Sequence, residues 1–169
     1  MIPASISIDI DPISCYADIY GFSGSHVDLA EEMEIMVNAW LRVLRRYQVR
    51  ATFFFVASTV NSPALISSVT AQGHEVGNHT LTHPYNLSHL TEAEIRSEIV
   101  GAHERLSVLG AVPVGFRAPG YHLCPQALQV CSGLGYEYSS SQLASWSYMT
   151  AKIGARWLIA LRGGSSKSV

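Results

Sequence analysis

One apolar run, Ala51-Thr52-Phe53-Phe54-Phe55-Val56, does most to limit what this chain can become. Three consecutive phenylalanines leave no polar face at the period of a strand or of a helix. A strand of this kind is stable where both of its faces are covered, as in a parallel sheet wrapped by helices. The surrounding sequence supplies the other parts. Ser5 to Asp11 alternates Ile6, Ile8 and Ile10 with Ser7, Asp9 and Asp11, which predicts a strand with both aspartates on one face. Leu29 to Tyr47 predicts a helix through the stripe Leu29, Met33, Met36, Val37, Trp40, Leu44 and Tyr47, with Asp28 and Glu31 spaced for a capping box. Ser62-Pro63 opens a second helix that Gly73 closes, and His74 to Gly77 is a third strand. Thr91 and Glu94 cap a helix that runs to Gly110, its inward stripe being Ile95, Ile99, Ala102, Leu106 and Leu109. Val114 to Phe116 predicts a strand, Pro125 to Gly135 a short helix, Tyr136 to Tyr138 a fifth strand and Tyr148 to Leu161 a last helix. Strand and helix in alternation define an α/β fold with a parallel sheet, open or closed into a barrel, in one domain over residues 1–169.

Composition removes several function classes. Apolar residues make up 48% of the chain, enough to build a core and too many for a disordered segment. The net charge of -2, without a basic stripe, argues against nucleic acid or an anionic membrane as main partner. Cys15, Cys124 and Cys131 show no C-x-x-C spacing, so no disulfide framework is expected and a reduced compartment is. No charged segment leading into an apolar stretch follows Met1, which predicts no signal peptide and a cytoplasmic location. The apolar stretch Trp157 to Leu161 is too short for a transmembrane segment.

Three clusters of residues carry chemistry. The first is Asp9-Ile10-Asp11, at the C-terminal end of the first strand, where parallel α/β folds place their sites. Two carboxylates on one face repel each other unless a cation lies between them. A divalent metal answers this, one carboxylate ligating and the other serving as a base; the plainer alternative is a polar strand end turned by Pro12. The second is His79-Thr80-Leu81-Thr82-His83. In a helical turn the two imidazoles would share a face and reach one ion. Imidazole with carboxylate suits zinc first, and also cobalt, nickel or iron. Chance is the alternative, since the chain has 7 histidines. The third is Gly115-Phe116-Arg117-Ala118-Pro119-Gly120-Tyr121. Arg117 can hold a carboxylate, Asp9 being the natural partner, and the Pro-Gly turn can turn a backbone N–H toward an oxyanion; the alternative is a turn with a surface arginine. Each cluster follows a successive strand, so together they describe one mouth built from three strand ends.

In that order the segments resemble the polysaccharide deacetylase family with the NodB homology domain, carbohydrate esterase family 4. Ser7-Ile8-Asp9-Ile10-Asp11 looks like its first motif, Gly73 through His83 like its second and Phe116 through Tyr121 like its third. Arg50 to Phe55 is similar to its second strand. The resemblance implies a distorted (β/α)7 TIM-like barrel that removes acetyl groups from N-acetylated sugars of a glycan or glycolipid precursor. It implies Asp11, His79 and His83 as ligands of a divalent metal, Asp9 as general base, Arg117 as its orienting partner and the backbone amide of Gly120 as an oxyanion donor.

The chain departs from the pattern in two places. The family's late Leu-x-His motif, which supplies the general acid, is missing, and His122 beside the third motif does not replace it. Tyr138-Ser139-Ser140 has a serine where the family often has an aspartate. The expectation is therefore a barrel incomplete at its C-terminus, with the general acid beyond Val169. Alternatives are an amide hydrolase of the same fold acting on a small non-sugar amide, and a metal-binding pseudoenzyme. His26, His74, His89 and His103 are expected in surface or local hydrogen-bonding roles.

Overall fold

Five strands, all parallel, pair in the order in which they occur along the chain. They are β1 (Ile6–Ile10), β2 (Ala51–Phe55), β3 (Glu75–Asn78), β4 (Gly115–Phe116) and β5 (Tyr138–Ser139). The helices are α1 (Ile13–Tyr20), α2 (Leu29–Tyr47), α3 (Pro63–Thr70), α4 (Glu92–Val108) and α5 (Pro125–Gly133). The computed structural model describes residues 4–20, 29–142 and 150. A strand order that never reverses is the winding of a barrel wall; a doubly wound sheet changes direction at a switch point. Within the described residues the sheet stays open, so the closed seven-stranded barrel is not reached there.

The apolar run became β2 as its composition requires. Phe53, Phe54 and Phe55 are all fully buried, each burial contributing about 1.5–3 kcal/mol of transfer free energy. Phe53 and Phe55 join Ile8, Ile10, Met33, Val37, Leu41, Leu44, Leu65, Ile66 and Val69 in the larger core, between the sheet and its helices. Phe54 takes the opposite face and lies over Gly77, where a Cβ would come within 2.5 Å of its ring. A second cluster joins Phe116 to Ile95 and Ile99 of α4 and Ala127, Val130 and Cys131 of α5. The cysteines form no disulfide among the described residues; burial lifts the thiol of Cys131 to about 12, so it packs as a small apolar group.

The strands lie within a residue or two of their expected limits. The Thr91–Glu94 capping box is formed, and Gly73, Gly110 and Gly135 follow their helices at positive φ. Two readings need correction. The stripe of α2 is right at its centre, but Leu41 is buried where Leu29, Trp40 and Tyr47 are largely exposed, so the packed seam is narrower than the apolar pattern. Helix α1 was not expected at all: Ile-Ser-Cys-Tyr-Ala-Asp-Ile-Tyr is short and mostly of weak helix formers. Its start is tied down from elsewhere, the Ile13 N–H donating to Glu32 Oε1 of α2 at 2.8 Å. Asp28, His26 and, apart from Thr150, the helix expected over Tyr148 to Leu161 lie outside the described residues. Among the described residues no helix is long and apolar enough to cross a membrane.

Candidate active site

One row of the sheet register sets the site. Ile10 is level with Phe55, Phe55 with Asn78, Asn78 with Phe116 and Phe116 with Ser139. The next residues, Asp11, His79, Arg117 and Ser140, therefore share the C-terminal rim. The ladder continues into them: His79 N–H donates to Phe55 O at 3.0 Å, Arg117 N–H to Asn78 O at 2.9 Å and Ser140 N–H to Phe116 O at 2.8 Å. Residues drawn from sequence positions 11 to 140 thus become neighbours because the strands are parallel and in register.

Asp11, His79 and His83 offer ligand atoms that all lie within 4.8 Å of one another. Nε2 of His79 is 3.4 Å from Asp11 Oδ1, and Nε2 of His83 is 3.5 Å from Asp11 Oδ2. The side chains are nearly buried. Among the described residues Asp11 Oδ1 and His83 Nδ1 have no hydrogen-bond partner, an arrangement that costs free energy unless something charged completes it. Nδ1 of His79 lies 2.7 Å from the carbonyl of Arg117, which can only accept, so that nitrogen carries the hydrogen and Nε2 turns its lone pair toward Asp11. Burial, reinforced by His79, pushes His83 down to about 3, so it is a neutral donor at pH 7. Burial raises the Asp11 carboxyl, partly countered by His79. An oxygen and two imidazole nitrogens at this spacing fit a tetrahedral or larger divalent-cation site with positions left open.

The histidines do not meet on a helical turn, contrary to the spacing argument. Residues 79–84 form an irregular loop in which Thr80 and His83 have φ of 68° and 63°. A β-branched residue in the left-handed region is strained by about 1–3 kcal/mol, the kind of backbone found at functional sites. The loop is held against that strain. Asn78 Oδ1 accepts from Thr80 N–H at 2.8 Å, and Thr80 Oγ1 accepts from His83 N–H at 3.2 Å. Glu98 of α4 accepts from the N–H groups of Leu81 (3.0 Å) and Thr82 (2.9 Å) and from the Thr82 hydroxyl (2.7 Å).

Arg117 does reach Asp9, its Nη1 donating to Oδ1 at 2.6 Å. It lies 4.4 Å over the Phe54 ring. In place of a second carboxylate, hydroxyls and a carbonyl hold it: Nη2 donates to Ser7 Oγ (2.5 Å) and Ser140 Oγ (2.7 Å), and Nε to Ser140 O (3.2 Å). Ser139 turns instead to Ser141, 2.8 Å away. Gly120 lies in the turn after Arg117 with φ of 57°, and a Cβ there would meet the Tyr85 ring at 2.6 Å, so both backbone and packing demand glycine. The residues missed in the sequence are Glu98, Asn78, Ser7, Ser140 and Tyr16, whose hydroxyl donates to Asp11 Oδ2 at 3.1 Å. His74, left out of the ligand set, is buried away from the trio and accepts from Ala51 N–H through Nδ1 at 3.2 Å.

These features define an α/β protein with a candidate metal centre at the C-terminal rim of a sequentially wound parallel sheet. A family model described as Polysaccharide deacetylase matches residues 28–139, and the chain belongs to that family. It is 44% identical over 82 residues to a chitooligosaccharide deacetylase of Bradyrhizobium sp., which covers 47% of this chain and 37% of that protein. It is 30% identical over 109 residues to a peptidoglycan-N-acetylglucosamine deacetylase of Bacillus cereus, covering 64% of this chain and 48% of that one. The chain thus spans half or less of the length of these curated relatives. Among solved structures it resembles a family 4 carbohydrate esterase from Streptomyces lividans in complex with acetate, with a TM-score of 0.57 and 26% identity over 79% of this chain and 59% of that one. It also resembles a CE4 family pseudoenzyme from Bacillus anthracis, with a TM-score of 0.61 and 18% identity over 80% of this chain and 41% of that one, a likeness of fold alone.

Proposed function

We propose that this chain carries the metal-binding half of a deacetylase centre that hydrolyses acetyl groups from N-acetylated sugars. The single observation behind the reading is the buried trio Asp11, His79 and His83, with two unpartnered polar atoms, beside a carboxylate held by Arg117. The names of the relatives, a chitooligosaccharide deacetylase and a peptidoglycan-N-acetylglucosamine deacetylase, support an N-acetylated glycan or glycolipid precursor as substrate class. The open sheet is read as the first five strands of a distorted (β/α)7 barrel.

The donor set favours zinc, with cobalt, nickel or iron as alternatives. A divalent ion held there supplies the positive charge that acidifies a bound water and polarises a carbonyl. The protein's own groups do the rest. Asp9 takes the proton of the attacking water. Arg117 donates to Oδ1 of Asp9 and leaves Oδ2 outside that contact, which fixes the direction in which the base faces. The backbone amide of Gly120 donates toward the oxyanion of the tetrahedral intermediate. Protonation of the leaving amine falls to an acid outside these residues.

Metal analysis of the purified protein against a His79→Ala/His83→Ala variant tests the site: one equivalent bound by the former and none by the latter is expected. Acetate release from chito-oligosaccharides, set against cyclic amides, tests the substrate class; turnover of cyclic amides alone would favour the amide hydrolase. A second reading is a metal-binding pseudoenzyme. Under that reading Asp9→Asn leaves every measurable function intact.

A further inference from the structure

The two oxygens of Asp11 are treated differently by the protein. Oδ1 is buried, 3.4 Å from Nε2 of His79, and has no hydrogen-bond partner among the described residues. Oδ2 lies 3.5 Å from Nε2 of His83 and also accepts the hydroxyl of Tyr16 at 3.1 Å. Tyr16 lies near the start of α1, and that helix is fixed at its first residue by the bond from Ile13 N–H to Glu32 Oε1. The hydroxyl therefore arrives at Asp11 from a helix anchored to α2, five residues further along the chain. A carboxylate with both oxygens free can bind an ion through one or both of them. A donor on one oxygen removes that choice, and outer partners of this kind govern both the orientation and the affinity of metal ligands.

We propose that Tyr16 is a positioning residue of the metal site, its hydroxyl occupying Oδ2 of Asp11 so that Oδ1 is the oxygen left to bind the ion. The proposal rests on Asp11, His79 and His83 being metal ligands. It adds a residue outside the motifs and gives α1 a role in the site. Tyr16 is 40% exposed, so Tyr16→Phe removes the hydroxyl without opening a cavity.

The test uses the full chain, loaded with zinc in competition with a chromophoric chelator, and separately with cobalt for its visible absorption. Tyr16→Phe should weaken metal binding by about 10–100-fold. It should also lower the cobalt absorption, because a carboxylate released to bind through both oxygens raises the coordination number. The thermal midpoint of the metal-free protein should not move. Equal affinities and superimposable cobalt spectra overturn the assignment of Tyr16 and leave the trio standing. A loss of affinity matched by a fall in the metal-free midpoint overturns it too, since that marks a packing role. If the unaltered chain binds zinc no better than His79→Ala/His83→Ala, the site itself fails and the assignment with it.

Discussion

His79 receives its orientation from a main-chain atom, the Arg117 carbonyl, and its partner His83 from a loop that Glu98 pins with three hydrogen bonds. Glu98→Leu keeps a similar volume but removes both acceptor oxygens and leaves two N–H groups and a hydroxyl without them. It should reduce zinc affinity about tenfold or more, as measured by chelator competition, with both imidazoles still present. A second residue-scale prediction concerns acid. Burial, helped by Arg50, pushes the His74 imidazole below its ordinary value. The unfolded chain then takes up the proton first, so this contribution to stability is complete above about pH 6.5 and is lost as the pH falls below it. His74→Asn offers Ala51 an oxygen that does not titrate. Its melting temperature, measured without metal, should decline less between about pH 7 and pH 5 than that of the unaltered chain; parallel slopes would refute this. Asp9, Asp11, His79, His83 and Arg117 could be read from the sequence because their side chains have few other uses in that spacing and order. Glu98, Ser7 and Ser140 could not. They are ordinary polar residues whose partners lie 16 to 110 positions away, and only the strand register discloses the pairing.

At the scale of elements, β2 with its neighbours is the part most fully written in the sequence. Phe53 and Phe55 face the helices and Phe54 the other side, as a run without a polar face demands. Gly77→Ala tests how tightly the second face is built. The new methyl group would press on the Phe54 ring, which cannot withdraw without disturbing the Arg117 guanidinium stacked on it. A loss of about 1–3 kcal/mol in denaturant unfolding is expected, together with slower turnover through Arg117. An unchanged unfolding midpoint would show that the ring has room to move. Capped helices and glycine stops were legible, as in α4, because caps are local chemistry. Helix α1 and the loop from His79 to His83 were not. The first depends on Glu32 of another helix, and the second on left-handed residues that threonine and histidine do not advertise.

At the scale of the whole molecule, the proposed centre makes different demands on different substrates. An amide needs a protonated leaving group, whereas a phenolate leaves unaided. Under the proposed function a polypeptide of residues 1–169 should therefore hydrolyse an aryl acetate measurably and N-acetylated chito-oligosaccharides about 10²–10⁴-fold more slowly than the Bacillus cereus deacetylase does. Chito-oligosaccharide turnover equal to that of the Bacillus cereus deacetylase would sink this. Asp9→Asn should remove the aryl acetate activity while zinc stays bound. The parallel α/β sheet was readable from alternating strand and helix patterns, but whether it closes was not, because closure is a contact between the two ends of the sheet and leaves no local mark.

The separate anchoring of the two halves of the rim has a hereditary consequence. His79 hangs on a peptide carbonyl that no codon change at position 117 can delete, and its loop hangs on Glu98. Asp9, by contrast, touches its partner only through side chains. A single nucleotide change can turn aspartate into asparagine, so a lineage can shed the proposed base in one step and still pass on the Asp11, His79 and His83 cluster intact. Silencing of the chemistry and survival of the fold are thus separate events in this architecture, which leaves a ready route from hydrolase to binding protein.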